Sequence, residues 1–201
     1  ICFIVSKTGK SSFALSIILF LSFSIMVDFV DYLIPQSAAT SDIDIASADG
    51  NAIPWELLTT IREMDGVKEV YGRRSVFDVS AKLNDDTNFS GTVDLISYDD
   101  FDLQCLKKDS ALKRGSDLSK VFGDSNFVLA TSDQDSTWKI GDTVQIGDET
   151  LTIAGLLKND PFSENGLTNG KLTLITSDET FVRLTGEEGY SLVLIQTTGD
   201  V

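Results

Sequence analysis

The longest uncharged stretch of the chain constrains its fold more than any other feature. No charged residue lies between Ser11 and Val27, a run of 17 residues in which most side chains are Leu, Ile, Phe or Val. A helix that crosses a bilayer needs about 20 mostly apolar residues, with a lower limit of about 17. A buried helix of a soluble domain is an alternative, but such helices usually carry a polar stripe, which this stretch lacks. We therefore predict a transmembrane helix over residues 13–34. The predicted membrane-spanning segment includes Phe13, Leu19, Phe23, Val27 and Ile34.

The charges at the two ends of this stretch predict its orientation. Lys7 and Lys10 are the only charged residues before Asp28, and cytoplasmic flanks of membrane helices are enriched in Lys and Arg. Residues 1–12 are therefore predicted to be a cytoplasmic lead, and residues after 35 to lie outside the plasma membrane. A cleaved signal peptide is the alternative, although the apolar core exceeds the 7–15 residues that are usual there. Because the chain starts at Ile1 without methionine, we expect it to be part of a longer protein.

Composition excludes several classes of function. The chain has 31 acidic and 16 basic residues and a net charge of −15, which disfavours nucleic acid as a partner and anionic lipid head groups as a docking surface. There is no histidine, and the two cysteines, Cys2 and Cys105, are far apart. Zinc sites of Cys and His, and nucleophiles activated by His, are therefore excluded. We predict no catalytic residue, no metal site and no cofactor, so the chain is not expected to be an enzyme.

The first half of the remaining chain predicts a strand, a helix and a hairpin. Residues 41–45 alternate polar and apolar, as in a half-buried strand. A helix is expected from Pro54 to Gly66, a glycine that ends it as a structural turn. Its predicted buried face carries Trp55, Leu58, Ile61 and Met64. Residues 67–83 and 89–98 read as extended, and the turn chemistry at 84–86 joins them into a hairpin. Within the first of these stretches, Arg73-Arg74 is a basic spot too small to name a ligand.

The second half predicts short strands and tight turns. Strands are expected at 126–131, 143–146, 150–157, 171–176 and 190–197. Gly141 and Asp142 are predicted turn residues before the second of these strands, and Gly155 is also assigned as a structural turn. A helix capped by Ser177 is expected to end at Gly186. Strand–helix–strand order therefore occurs near both ends of this region.

Taken together, these segments resemble the first transmembrane helix and extracytoplasmic domain of FtsX-like (MacB-type) ABC transporter permeases. The resemblance covers nearly the whole chain, through the order and spacing of turns and apolar alternation. One departure from the family pattern is the acidic pair Asp28 and Asp31 at the helix exit. The segments that carry the resemblance are KSSFALSIILFLSFSI, SDIDI, LLTTIREMDGVKEV, WKIGDTVQIGDETLTIAGLL, KLTLITSDETFVRLTG and YSLVLIQT.

The resemblance implies an α+β fold in which an N-terminal transmembrane helix precedes a two-lobed ectodomain. A mixed α/β lobe with repeated strand–helix–strand units is expected over residues 41–108 and 171–201. A small β-rich lobe, residues 109–170, is expected to be inserted in it.

The resemblance also implies partners. A permease of this kind has four membrane helices in contact with lipid, works with a cytoplasmic ATP-binding subunit, and can pair with a second permease copy. It exports or extracts a peptide, lipid or lipoprotein, or transmits a signal across the membrane. The alternative is a membrane-anchored or secreted binding module without a role in transport.

Overall fold

The computed structural model of the chain describes residues 40–47, 50–84, 90–131, 138–158 and 172–199. These residues belong to one compact unit, residues 37–201. The predicted cytoplasmic lead and the predicted transmembrane segment at 13–34 lie outside the described residues. Among the helices of the described ranges, none combines the length and the apolar character that a membrane crossing needs.

Within these ranges the chain forms nine strands, three α-helices and one 3-10 helix, so a fold that mixes helices and strands is confirmed. In chain order the elements are β1 (Ile43–Ala46), α1 (Trp55–Arg62), β2 (Val67–Arg73), β3 (Ser75–Leu83), β4 (Ser90–Tyr98), α2 (Asp100–Lys108), the 3-10 helix (Leu118–Lys120), β5 (Phe127–Thr131), β6 (Thr143–Ile146), β7 (Glu149–Leu157), β8 (Leu172–Ser177), α3 (Asp178–Thr185) and β9 (Leu192–Thr197).

A three-stranded sheet contains both the first and the last strand of the described chain. Its order is β1-β9-β2, and β9 pairs antiparallel with both neighbours. Val70, Val193 and Ile195 are buried on this sheet and cluster with Leu58 and Ile61 of α1. Helix α1 therefore covers the apolar face of a sheet that is too small to bury itself.

The buried face of α1 is narrower than its sequence predicts. Leu58 and Ile61 are buried as expected, but Trp55 and Met64 are each 53% exposed, so the prediction is wrong for those two. Residues spaced three apart drift by about 60° per step around a helix with 3.6 residues per turn, which turns Trp55 away from Ile61. Met64 lies beyond Arg62, where the helix ends.

The other six strands close into a barrel of order β3-β4-β8-β5-β7-β6. The pairs β4–β8 and β5–β7 are parallel, and the other neighbours are antiparallel. The predicted hairpin is confirmed for β3 and β4 only, because the first part of the predicted extended stretch, β2, pairs with β9 in the other sheet. In a barrel this small, side chains fill the interior. The buried side chains of its core cluster include Val93, Leu95, Val128, Leu151, Ile153 and Leu174.

A second apolar layer covers one side of the barrel. Leu103 and Leu106 of α2 and Leu118 of the 3-10 helix pack with barrel residues such as Leu129 and Ile175. This layer fixes α2 against the barrel, and α2 carries one of the carboxylates of the candidate site.

The division between the sheets differs from the division predicted for the lobes. The barrel takes β3, β4 and β8 from the predicted mixed lobe and β5 to β7 from the predicted insert. The boundaries at 108–109 and 170–171 therefore do not coincide with a boundary between sheets. The repeated strand–helix–strand order also splits, because β8 pairs within the barrel whereas β9 lies between β1 and β2.

Gly155 lies inside strand β7, although the sequence assigned it to a turn. A Cβ at this position would come within 2.7 Å of the Ser116 Cβ and 2.9 Å of the Leu129 Cδ2. The backbone pairing between β5 and β7 also shifts register here, between Val128 and Leu129. Close packing against Ser116 and Leu129 therefore requires a glycine here. In the sequence, a glycine required by packing cannot be told from a glycine that marks a turn.

Candidate functional site

The chain passes from the three-stranded sheet to the barrel through two consecutive arginines. β2 ends at Arg73 and β3 begins at Ser75, with Arg74 between them. Arg73 is 8% exposed and Arg74 is 6% exposed. A buried guanidinium needs a charged or strongly polar partner to offset its loss of hydration. The partners of these two side chains therefore show which elements hold the connection between β2 and β3.

Arg73 is held by Asp102 of α2. The Arg73 Nε donates to the Asp102 Oδ2 at 2.7 Å, and Nη2 donates to Oδ1 at 3.0 Å. This two-bond fork is the strongest geometry for an arginine and a carboxylate. The Asp102 side chain is fully buried, and the Arg73 guanidinium carbon lies 4.6 Å from the centre of the Tyr98 ring. The end of β2 is therefore fixed to a helix that packs on the barrel.

Arg74 is held by the other end of the fold. Its Nη1 lies 2.6 Å from the Oδ1 of Asp178, the first residue of α3. Its Nε and Nη2 donate to the Glu188 carbonyl at 3.1 and 2.8 Å. The guanidinium carbon also lies 3.9 Å from the Tyr190 ring centre, a distance at which the ring face attracts a cation.

Asp178 joins three segments at one carboxylate. Besides its ion pair with Arg74, it accepts hydrogen bonds from the Ser97 Oγ at 2.6 Å and from the Tyr190 hydroxyl at 3.3 Å. The Ser97 Oγ in turn accepts from the Arg74 backbone N–H at 3.0 Å. Burial, and then the Asp178 charge, raise the pKa of Tyr190, which keeps its hydroxyl protonated as a donor. A carboxylate in the first turn of α3 is also favoured by the helix dipole.

We call Arg73, Arg74, Asp102 and Asp178 the arginine joint. Asp99 lies beside it as the N-cap of α2, and its Oδ1 accepts from the Asp102 backbone N–H at 2.9 Å. Burial, the largest cause, raises the pKa of Asp99 to about 7, and the Asp102 charge acts in the same direction. The joint thus contains two ion pairs, and the Asp99 carboxyl group beside it has a pKa near neutral.

A second hydrogen-bonded feature connects the first and last strands. The Asp42 Oδ2 accepts from the backbone N–H of Thr197 at 2.6 Å and from its hydroxyl at 2.9 Å. The Gln196 Nε2 donates to the Thr40 carbonyl at 2.7 Å. The backbone bond from Thr197 is the largest cause of the lowered pKa of Asp42. We call these four residues the terminal clasp, because they close the end of the β1–β9 pair.

The residues that the sequence assigned as structural turns lie outside the joint. Gly66 and Gly141 have φ angles of 88° and 97°, which a residue with a Cβ rarely adopts. The Asp142 Oδ2 accepts from the Lys139 backbone N–H at 2.9 Å. The assigned membrane residues, Phe13, Leu19, Phe23, Val27 and Ile34, lie outside the described residues. In the part of the chain that is described, no cluster of His, Cys, Asp and Glu could hold a metal ion.

The sequence identified the two arginines as a basic spot, but it predicted neither their burial nor their ion pairs. Their signal was the dipeptide Arg73-Arg74 inside an otherwise alternating extended stretch. Neither acidic partner is recognisable in sequence, because Asp102 is one of several acids near the start of α2 and Asp178 is far along the chain. The clasp carboxylate, Asp42, appeared only as a polar position on a strand.

Gly72 offers a direct test of how tightly the joint is packed. A Cβ at Gly72 would lie 2.4 Å from the Tyr190 Cδ1, on the ring that Arg74 faces. We expect Gly72→Ala to lower the free energy of unfolding by about 1–3 kcal/mol, because the ring must move in a packed interior. Gly199→Ala is the control, since among the described residues no atom outside its chain neighbours lies within 4 Å of its Cβ position. Urea unfolding followed by circular dichroism measures both; equal effects would contradict the close packing.

The fold has relatives among solved structures, while no protein-family model and no curated protein matches the sequence. The extracellular domain of the noncanonic ABC-type transporter YknZ from Gram-positive bacteria superposes with a TM-score of 0.52 at 16% identity, over 77% of this chain and 81% of that one. The periplasmic region of MacB from Actinobacillus actinomycetemcomitans gives 0.52 at 14% identity, over 74% of this chain and 66% of that one. The resemblance predicted from sequence is therefore confirmed at the level of the fold.

Proposed function

We propose that this chain is the first membrane helix and the extracytoplasmic domain of an ABC transporter permease. A cytoplasmic ATP-binding subunit would hydrolyse ATP, and the ectodomain would move with the membrane helices. That movement would export or extract a peptide, lipid or lipoprotein, or pass a signal across the membrane. The N-terminus would lie in the cytoplasm and residues after 35 outside the cell. A second permease copy would be the natural pairing partner, and the chain's own role is mechanical, without a catalytic residue.

One observation carries this proposal: the strand that opens the described domain is paired with the strand that closes it. β1 and β9 are antiparallel neighbours, with Ile43 opposite Ile195, and the terminal clasp closes the end at which both leave the sheet. Because ladder hydrogen bonds run perpendicular to the strands, tension on both chain ends would peel this pair open one bond at a time. The clasp bonds would be loaded first.

The arginine joint gives this movement a route to the barrel. β9 also pairs with β2, so β1, β9 and β2 are hydrogen-bonded into one sheet. β2 then ends at Arg73, which is fixed to α2, and Arg74 is fixed to α3. A displacement of the sheet would therefore act on α2 and α3, which contact the barrel. A flexible loop at this position would not transmit it. This resembles the rigid-body movements that packed interfaces transmit.

The test uses the full-length protein that contains this chain, reconstituted in lipid with its ATP-binding subunit. Asp42→Ala removes the clasp acceptor and should reduce transport or signal output per ATP hydrolysed. Asp44→Ala is the matched control, because Asp44 is an exposed carboxylate in the same segment that accepts from the Ser41 hydroxyl. Basal ATP hydrolysis should be the same in both variants.

Two results would contradict the proposal. Failure of an ATP-binding subunit to copurify with the membrane-embedded protein would remove the transporter assignment. Equal coupling in the Asp42 and Asp44 variants would leave the assignment but remove the mechanical role of the clasp.

A binding module without transport is the second candidate, and a cavity beside the joint favours it. The cavity has a volume of about 450 Å³, and its lining includes Arg74, Phe77 and Glu187. This volume falls within the usual range for small-molecule sites. A module of this kind would bind its ligand in the absence of any ATP-binding subunit, whereas the leading proposal requires that subunit.

A further inference from the structure

An apolar groove opens beside the terminal clasp. Its volume is about 700 Å³, and its lining includes Ile43, Ile45, Leu57, Met64, Val67 and Ile195. The groove also reaches Thr197, Thr198 and Gly199, at the end of β9. It therefore occupies the end of the three-stranded sheet at which the described chain enters and leaves.

Two large apolar side chains on the groove are exposed to solvent. Ile43 of β1 is 46% exposed, and Met64, after α1, is 53% exposed. Single exposed apolar residues are ordinary, but these two belong to one apolar concavity. Such a surface points to an apolar partner.

The sequence indicates which partner is within reach. The predicted membrane segment ends at Ile34, six residues before Thr40, and six extended residues span at most about 20 Å. Thr40 is in turn bonded to Gln196 of the clasp. The groove therefore lies beside the clasp residue from which only a short covalent link leads to the predicted membrane segment.

We propose that this groove rests on the outer leaflet and takes the acyl chains of lipids with zwitterionic head groups. The inference depends on the membrane placement in the proposed function. Charge favours zwitterionic lipids, because Asp42 is exposed just before β1, Asp44 is exposed within β1, and Asp65 lines the groove. Anionic head groups would be repelled by these carboxylates. The contact would seat the sheet on the bilayer at the end where the membrane helix pulls.

The experiment places a fluorophore at the groove in the full chain. In a Cys2→Ser background, Met64→Cys is labelled with an environment-sensitive dye and reconstituted in phosphatidylcholine vesicles. Cys105 is buried, and burial raises its pKa to about 11, so it stays unlabelled. Ile43→Cys labels a second position on the groove. Quenching by doxyl-labelled phosphatidylcholine then reports contact with acyl chains.

Phe77→Cys is the matched control. Phe77 is 43% exposed and lies in β3, beyond the joint. Val67 lines the groove and Arg73 belongs to the joint, so the two sites are six residues apart along β2, or about 20 Å at 3.3 Å per residue. We expect lipid-borne quenching to be several times larger at positions 64 and 43 than at 77. Aqueous iodide should show the opposite order, and replacing phosphatidylcholine by phosphatidylglycerol should reduce the lipid quenching.

Four results would overturn the inference. Equal lipid quenching at positions 64 and 77 would show that the groove does not meet the bilayer. Protection of position 64 from iodide without lipid quenching would assign the groove to a protein occupant. Release of the chain from vesicles by alkaline carbonate would remove the membrane placement, and with it the proposed function. A chain that stays in the membrane without lipid quenching would overturn only the groove proposal.

Discussion

Arg73→Ala should lower the free energy of unfolding of the domain by about 3–5 kcal/mol, the cost of leaving one partner of a buried ion pair alone. The Asp102 side chain is fully buried, so its carboxylate would lose both Arg73 hydrogen bonds without gaining water. The measurement is urea unfolding of residues 37–201, which form one compact unit, followed by circular dichroism at neutral pH.

Arg183→Ala is the control for this variant. Arg183 also forms ion pairs, with Asp124 at 2.6 Å and Glu149 at 2.8 Å, but those carboxylate side chains are 61% and 46% exposed. Exposed pairs of this kind contribute about 0–1 kcal/mol. An Arg73 variant as mild as the Arg183 variant would show that the Arg73–Asp102 pair does not hold the joint.

The double variant separates the ion pair from the packing. Replacing Arg73 by Met and Asp102 by Leu removes both charges and keeps apolar volume, so we expect it to recover most of the loss. Buried ion pairs are often replaced by apolar residues at little cost, whereas breaking them is expensive. If the double variant is instead as unstable as Arg73→Ala, shape and not charge determines the stability of the joint.

Local elements of the fold were predictable because their signals lie within a few residues. Ser177 caps α3 by accepting from the Thr180 N–H, and Gly186 follows the helix with a φ of 75°, as the sequence indicates. The hairpin of β3 and β4 follows from two alternating stretches on either side of turn residues. Each of these features depends on neighbours in sequence, where propensity and turn chemistry are informative.

The pairing of β9 was not predictable by the same means. Alternation shows that residues 190–197 form a strand, but not which strands lie beside it. The order β8–α3–β9 suggested one local unit, whereas β9 pairs with β1 and β2 from the start of the domain. Partners at such separation are fixed by the whole topology, not by local pattern.

The sequence did not predict the arginine joint, for a related reason. Arg and Asp are usually exposed, so sequence alone assigns a charged dipeptide to the surface. Burial of Arg73 and Arg74 depends on carboxylates that arrive from α2 and α3 only after folding. The pattern of the whole chain therefore indicates the function, whereas only the structure identifies the residues that are proposed to transmit movement.

Asp99→Asn should make the domain more stable relative to wild type as pH rises from about 4 to 7. Burial raises the pKa of Asp99 to about 7 from its ordinary value of 3.8, so between these values the folded state binds more protons than the unfolded state. The contribution of Asp99 to the unfolding free energy of the wild type is then greatest when Asp99 is protonated. This contribution is lost as the pH rises from about 4 to about 7. Asparagine avoids the buried charge and still offers an oxygen to cap α2.

The expected difference in unfolding free energy grows by at most about 1.4 kcal/mol per pH unit and reaches the order of 2–4 kcal/mol at neutral pH. Urea unfolding of both proteins between pH 4 and 8 measures it, and the shared background of −15 net charge cancels in the difference.

Asp117→Asn is the control, because the pKa of Asp117 is shifted in the opposite direction to that of Asp99. Asp117 caps the 3-10 helix, and its hydrogen bond from the Ser119 side chain is the largest cause of its lowered pKa. A lowered pKa contributes stability that is lost only as pH falls below about 4, so the Asp117 difference should be flat from pH 5 to 8. A flat Asp99 profile over the same range would mean that this carboxyl stays ionised beside Asp102. The Asp99 and Asp102 carboxylates would then both be charged near neutral pH, at the end of α2 that meets the joint.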